Sequence, residues 1–306
     1  MAVIIDRTLA KIDSDTMVPR DLIHFCELLF TCGVTKIEAT PQVLYKIQEF
    51  ISVGSPLLFN QTKTCFLTIE HGTWKIESNK LIEKNLEFIQ IQNLQSEKVR
   101  LIGLENLLTQ DYETIFHDLI NSGAQYLDLC PSNHKHCATA IALEWLLMGG
   151  QSISCSFASC NDDANLEEIL MALKINGKSG LVGDLSVLRE LKNIYEKITG
   201  EQIPEKKAVI GAGIFKVESG IHVDGVLKNP LIYEPFSPES VGNKREIVLG
   251  KHSGQQSVIY KMRELNLSES GVSTILFQLK EHCSKVGKSF SDLDLLTLVS
   301  EVNNGY

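Results

Sequence analysis

From the first residues to about residue 175, short β-branched runs alternate with amphipathic helical stretches, and few folds accommodate that rhythm. Strand candidates are Ala2–Asp6, Lys36–Ala39, Thr64–Ile69, Phe88–Gln92, Val99–Gly103, Tyr126–Leu129 and Ser152–Phe157. Between them the spacing of apolar residues predicts helices over Asp21–Thr31, Val43–Ile51, Tyr112–Asn121, Cys137–Met148 and Leu166–Ile175. Strand–helix alternation predicts a parallel sheet with helices outside it. The seven strands suggest an α/β barrel without proving one, because a closed barrel of this type has eight strands and roughly 250 residues. No helix fits between Gln92 and Val99, so the expected barrel is shortened, with a strand and helices missing.

After residue 180 the texture changes: a helix at Leu185–Ile198, Gly/Pro-rich loops, then helices at Gln255–Leu265 and Val272–Lys285. The expected organisation is a degenerate barrel over residues 1–200 and a linker with a small α-helical subdomain over 201–306. A chain of 306 residues with 43% hydrophobic content can bury a core of that size. The net charge of −9, without a basic block, argues against nucleic acid or an anionic membrane as partner. No signal-peptide pattern follows Met1, and no apolar run approaches the roughly 18 residues of a membrane span. Eight cysteines without a CxxC pair read as reduced thiols, so a cytoplasmic location is expected.

Four blocks in the last third carry a specific signature: Glu218-Ser-Gly-Ile-His-Val-Asp-Gly-Val-Leu-Lys-Asn-Pro230, Tyr233-Glu-Pro-Phe-Ser-Pro238, Val241-Gly242 and Leu249-Gly-Lys-His-Ser-Gly254. Together they resemble the homocitrate synthase/2-isopropylmalate synthase family, especially the homocitrate synthases that serve nitrogenase cofactor assembly. The likeness continues through Leu166–Lys174 and, weakly, to Asp6-Arg-Thr-Leu9. It implies a TIM barrel followed by a small subdomain that leans over the barrel of a neighbouring protomer. It also implies a Claisen condensation of acetyl-CoA with a 2-oxo acid, followed by thioester hydrolysis. In that family a divalent metal held by barrel residues polarises the carbonyl of the 2-oxo acid.

Set against that pattern, the barrel site of this chain is degraded. The family's Asp-Thr-Thr-Leu-Arg-Asp-Gly-Glu-Gln corresponds to Asp6-Arg7-Thr8-Leu9-Ala10-Lys11-Ile12-Asp13-Ser14, so Ala10 replaces the arginine and Lys11 the metal-binding aspartate. A protonated lysine has no lone pair and places positive charge where a dication should sit. The family's His-x-His-Asn-Asp falls, without a gap, on Cys130 and Ser132, with Asn133 retained. An alignment that deletes a few loop residues places the pair on His134 and His136, weak metal candidates if both share a strand face. A solvated loop beside a helix start is the competing reading. The family's Gly-x-Gly-Glu-Arg-x-Gly-Asn corresponds to Ser156–Asp163, with Ser159-Cys160 at Glu-Arg and Asp163 at the asparagine. No metal or other cofactor is therefore expected on this chain alone.

The subdomain keeps its pattern. The resemblance implies that His222 takes part in proton transfer and that Tyr233 assists that chemistry and positions the thioester, both acting in a neighbour's barrel. Gly220 and Gly225 are expected to permit tight turns on either side of His222. Lys251-His252-Ser253-Gly254 reads equally as a hinge, an acyl-CoA contact or a packed turn. The expected role is the inert-barrel subunit of a two-subunit homocitrate synthase, lending its lid to a catalytic sister subunit that holds the divalent metal. The alternatives are a self-sufficient 2-isopropylmalate/citramalate-type acyltransferase and a non-catalytic regulatory or scaffolding paralogue. The chain ends at Tyr306 without room for a further regulatory domain, which favours 2-oxoglutarate over smaller 2-oxo acids.

Overall fold

The computed structural model describes residues 2–13, 17–48, 50, 51, 64–88, 90–178, 180 and 182–303. The chain forms two units, residues 1–210 and 211–306.

The first unit is built on one curled, eight-stranded sheet, a shortened and open TIM-type barrel. Its strands are β1 (Val3–Asp6), β2 (Lys36–Ala39), β3 (Cys65–Glu70), β4 (Thr73–Ser78), β5 (Ile82–Asn85), β6 (Lys98–Gly103), β7 (Tyr126–Pro131) and β8 (Ser152–Cys155). They lie in the order β4-β3-β2-β1-β8-β7-β6-β5. Around β1 the pairings are parallel: β2, β1, β8, β7, β6 and β5 all run one way.

Three expectations are corrected here. Among the described residues the sheet has eight strands rather than seven. The segment expected as a parallel strand at Thr64–Ile69 is β3, antiparallel to both β2 and β4. The β3–β4 hairpin closes through His71 (φ 50°) and Gly72 (φ 75°), the two left-handed positions of a type I′ turn. Finally, the strand expected at Phe88–Gln92 is absent: 3₁₀ turns cover Leu86–Phe88 and Ile91–Leu94, with Ile89 outside the described residues, and β5 lies earlier. The start of the expected Val43–Ile51 helix is present in α3 (Pro41–Gln48); residue 49 lies outside the described residues.

Helices α1 (Thr8–Lys11), α2 (Pro19–Cys32), α4 (Tyr112–Ile120), α5 (Ala138–Leu147), α6 (Leu166–Ile175) and α7 (Leu188–Thr199) complete the unit. Helix α2 starts on Pro19, whose missing N–H costs nothing at a first turn, and ends on Gly33 at φ 113°. Side chains alternate along each strand. Ile4, Ile37, Leu101, Leu129 and Ile153 are buried on one face, which receives α2 and α5. Glu38, Arg100, Asp128, Ser152 and Ser154, out of step by one, make the other face polar. That inversion of the usual apolar barrel lumen sets what the site can do.

In the second unit, β9 (Lys216–Val217) pairs in parallel with β10 (Glu246–Ile247). Helix α8 (Gly220–Lys228) precedes a 3₁₀ turn at Pro230–Ile232, and α9 (Gln255–Glu264), α10 (Val272–Val286) and α11 (Asp292–Asn303) follow. Val258, Met262, Ile275, Leu279, Leu295 and Val299 close a core among the last three helices. Among the described residues no helix is long and apolar enough to cross a membrane.

Candidate functional site

On the polar face of the sheet, from mid-strand on β6 and β7 up to the strand ends near Arg7 and Lys11, where barrel enzymes build their sites, the first unit places a buried ion network. Arg100, wholly buried on β6, donates from Nη1 to Glu38 Oε2 and from Nε to Asp128 Oδ2, both at 2.6 Å. Asp128 also accepts from the Ser152 and Ser154 hydroxyls at 2.7 Å. Arg7 lies 3.3 Å from Glu38, 3.4 Å from Glu83 and 3.8 Å from Asp163, and donates to Cys130 Sγ at 2.9 Å. Lys11, on the single turn of α1, places Nζ 2.6 Å from Asp163.

Three cations thus face four carboxylates. Burial works to raise the Glu38 carboxyl, but Arg100 and Arg7 hold it below its ordinary range. Burial raises Asp163, with Lys11 and Arg7 opposing. Asp6, fully buried, is pushed up to about 7 by desolvation, although its carboxylate accepts from the Thr8 backbone N–H and hydroxyl at 3.0 Å. Burial pushes the Cys130 thiol up to about 12. A metal would need carboxylates with free lone pairs and an unopposed negative field. Here those lone pairs are taken by guanidinium, ammonium and hydroxyl groups, so the residues present do not fit a divalent cation.

The weak metal candidates lie elsewhere. His134 and His136 are exposed in the loop between β7 and α5, not on a strand, so the shared-face argument for them fails. His134 Nδ1 is 3.5 Å from the exposed Asp162 carboxylate, and His136 sits at φ 57°. Among the described residues no group of three or more His, Cys, Asp or Glu is arranged to hold a metal. Cys130 is buried under Arg7. The Ser156–Asp163 stretch forms a 3₁₀ turn over Phe157–Asp162; the Ser159 side chain lies outside the description. Two of the family's glycine positions in this loop fall on Ala158 and Asp162, and both keep a left-handed backbone at φ 58°. A left-handed backbone at residues that carry a β-carbon is strained.

In the second unit, His222 lies on α8, a helix the sequence reading does not anticipate. Its ring is 5.2 Å from that of Tyr233, tilted by 57°, and both side chains are exposed. The expected role of the flanking glycines is corrected. Gly220 and Gly225 sit inside the helix and serve close approach rather than turning. A β-carbon on Gly225 would overlap the Tyr233 ring, and one on Gly220 would lie 2.7 Å from the Gly254 nitrogen. Tyr233 follows the Pro230–Ile232 turn, where its N–H donates to the Pro230 carbonyl at 2.9 Å. Beside it, Arg245 grips Glu234 through two bonds of 2.6 and 2.7 Å. Lys251-His252-Ser253-Gly254 forms a turn: His252 N–H donates to Glu218 Oε1 at 3.0 Å, and Gly250 N–H to the buried Ser253 hydroxyl at 2.9 Å. Around the ring pair, Ile221, Leu231 and Ile232 are 79%, 82% and 68% exposed, a bare apolar rim.

Residues 209–286 match the family described as homocitrate synthase post-HMGL domain-like. The chain is 30% identical over 341 residues to the homocitrate synthase omega subunit of Clostridium pasteurianum, an alignment covering 99% of this chain and 96% of that one. It is 38% identical over 170 residues to a homocitrate synthase of Methanothermobacter thermautotrophicus, covering 54% of this chain and 43% of the relative. With the (R)-citramalate synthase of Methanocaldococcus jannaschii the identity is 41% over 142 residues, 46% and 29% of the two chains. Against these last two, the chain spans less than half of the relative's length.

Proposed function

The chain belongs to the homocitrate synthase/2-isopropylmalate synthase family, and from that premise we propose that it is the chemically inert-barrel subunit of a two-subunit homocitrate synthase. Its partner is a homologous sister subunit whose barrel holds the divalent metal and the 2-oxo acid, with acetyl-CoA as co-substrate. The observation that carries this reading is the contrast between two places. Lys11 and the two arginines neutralise the carboxylates at the barrel mouth. His222 and Tyr233 stand paired and exposed on an apolar rim.

In the proposed division of labour, His222 moves a proton at the acetyl methyl carbon or at the hydrolytic water, a task suited to an imidazole near neutral pH. Tyr233, held against α8 by the space at Gly225, positions the acyl thioester with its hydroxyl. The apolar residues beside them gain by being covered, and a sister barrel is the surface that also brings reacting atoms within hydrogen-bond reach. No step runs through a metal on this chain.

The test is purification of the tagged chain with and without a co-expressed homologue that has an intact Arg-Asp-Gly and His-x-His. Condensation is followed by release of the coenzyme A thiol. The expected result is a stable complex that turns over and a single chain that does not. Turnover by the single chain with stoichiometric metal, lost on changing His134 or His136, would instead establish a self-sufficient acyltransferase.

A further inference from the structure

Strands β2, β6 and β7 begin with Lys36, Lys98 and Tyr126, each two residues before a member of the ion network. Residues two apart on a strand share a face, so these three form the layer beneath Glu38, Arg100 and Asp128. In closed barrels such a layer is filled by branched apolar side chains. Here it borders a cavity of about 620 Å³, within the range of small-molecule sites, lined by Lys36, Phe66, Glu77, Lys80, Lys98 and Tyr126 among others.

The charge of this cavity runs against that of the molecule. Three lysines face one glutamate, in a chain of net charge −9. Lys36 is committed locally, with Nζ 3.9 Å from Glu77 and 5.3 Å from the centroid of the Phe66 ring. Among the described residues, Lys80 and Lys98 have no acidic partner. Lys98 and Tyr126 are register partners on adjacent parallel strands, so their side chains leave the sheet side by side. Tyr126 lines the cavity beside Lys98, while its hydroxyl is buried toward Ser152.

The geometry points to a second binding site here, for a small polyanion bearing two or more carboxylate or phosphate groups. Lys80 and Lys98 meet its charge, and Phe66 and the Tyr126 side chain supply apolar walls. The site lies wholly within the first unit and does not depend on the lid or on any sister subunit. It gives a barrel without catalytic groups a reason to remain folded around a polar lumen.

The test is isothermal titration calorimetry of the full chain with citrate and with pyrophosphate as probes, at low and at physiological salt. The expected result is one saturable site for at least one probe, the stronger arm telling carboxylate from phosphate recognition. Lys98→Met and Lys80→Met, which keep most of the aliphatic stem, should each weaken binding about ten-fold or more, as for a lost charge-assisted hydrogen bond. Lys178→Met, on the surface after α6, should change nothing. Absence of binding by both probes overturns the proposal, as does several-site binding that vanishes at physiological salt. Should Lys98→Met fail to fold, an unchanged affinity in Lys80→Met, at an exposed position outside the strands, overturns it equally.

Discussion

The Lys11 ammonium lies 2.6 Å from the Asp163 carboxylate, joining the positions that the family resemblance gives to a metal-binding aspartate and an asparagine. The resemblance implies that a ligand position now carries a counter-ion and that the residue opposite supplies its carboxylate. Substitution at one end alone would leave charge stranded, so the two changes are physically coupled.

Lys11→Met should therefore destabilise the first unit by about 2 kcal/mol. That is less than the roughly 3–5 kcal/mol for opening a wholly buried pair, because Lys11 is partly exposed and Arg7 remains 3.8 Å from Asp163. Burial already raises Asp163 and Lys11 opposes it, so the loss should shrink at acidic pH, where a protonated Asp163 needs no cation. Urea unfolding of both proteins at pH 5 and pH 8 measures this; an equal loss at both would refute the coupling.

Asp6 sets a second pH dependence, of defined sign. Its folded carboxyl is pushed up to about 7, chiefly by burial, against 3.8 in its ordinary state. Between those values the unfolded chain has released a proton that the folded chain retains, so this group's contribution to stability falls as pH rises from about 4 to about 7. At 1.36 kcal/mol per unit the whole effect is on the order of 4 kcal/mol. Asp6→Asn should flatten the corresponding part of the pH–stability curve. A constant offset between the two curves would show that Asp6 ionises normally.

The barrel's helices are legible because their signals are local. Leu166–Ile175 carries Glu167 and Glu168 in its first turn, apolar residues on one face, and Gly177 just beyond its end. The sheet edge is less legible. Ile82-Glu-Lys-Asn85 has no apolar run, yet it is a strand because its ladder with β6 satisfies the backbone of a largely exposed segment. Phe88–Gln92 alternates like a strand but has no ladder to join. The β4 alternation of Trp74 and Ile76 after His71-Gly72 is a hairpin signal present in the sequence. At the site, Ala10 and Lys11 depart from the family pattern by identity alone. That Asp163 answers Lys11, and that Tyr233 rests on Gly225, depends on tertiary contacts no local pattern encodes.

Ala158 keeps a glycine's conformation, at φ 58°, while its N–H donates to Glu167 Oε2 at 3.0 Å. An L-residue in the left-handed region costs roughly 1–2 kcal/mol, offset in part by the extra unfolded-state freedom of glycine. Ala158→Gly should stabilise the chain by about 1 kcal/mol, raising its melting temperature by about 2–4 °C. Scanning calorimetry checks this, and a lowered melting temperature would count against strain at this position.

Gly225→Ala separates fold from function in the second unit. Alanine in a helix interior is favoured by roughly 1 kcal/mol over glycine, but the new methyl would take the volume of the Tyr233 ring. The ring should move while α8 persists, so turnover of the reconstituted complex should fall at least as far as in Tyr233→Phe, with helix content retained by circular dichroism. Full turnover would mean the position of Tyr233 is irrelevant to the chemistry.

His222 carries the decisive prediction. Its ring is exposed and makes its recorded ring contact with Tyr233, so removing it strips little packing from the second unit. His222→Ala should leave assembly with the sister subunit intact and lower turnover about 100- to 10,000-fold, the usual range for a general acid–base group. Tyr233→Phe should cost less, if its hydroxyl only positions the thioester. Ala10→Gly, beside the neutralised network of the first unit, should leave the rate nearly unchanged, because chemistry requires a group within hydrogen-bond reach of the reacting atoms. Steady-state assays of the reconstituted pair, with complex formation checked by gel filtration, separate these outcomes. Wild-type turnover in the His222→Ala complex would make the lid a docking device alone, and the scaffolding role would then replace the catalytic one.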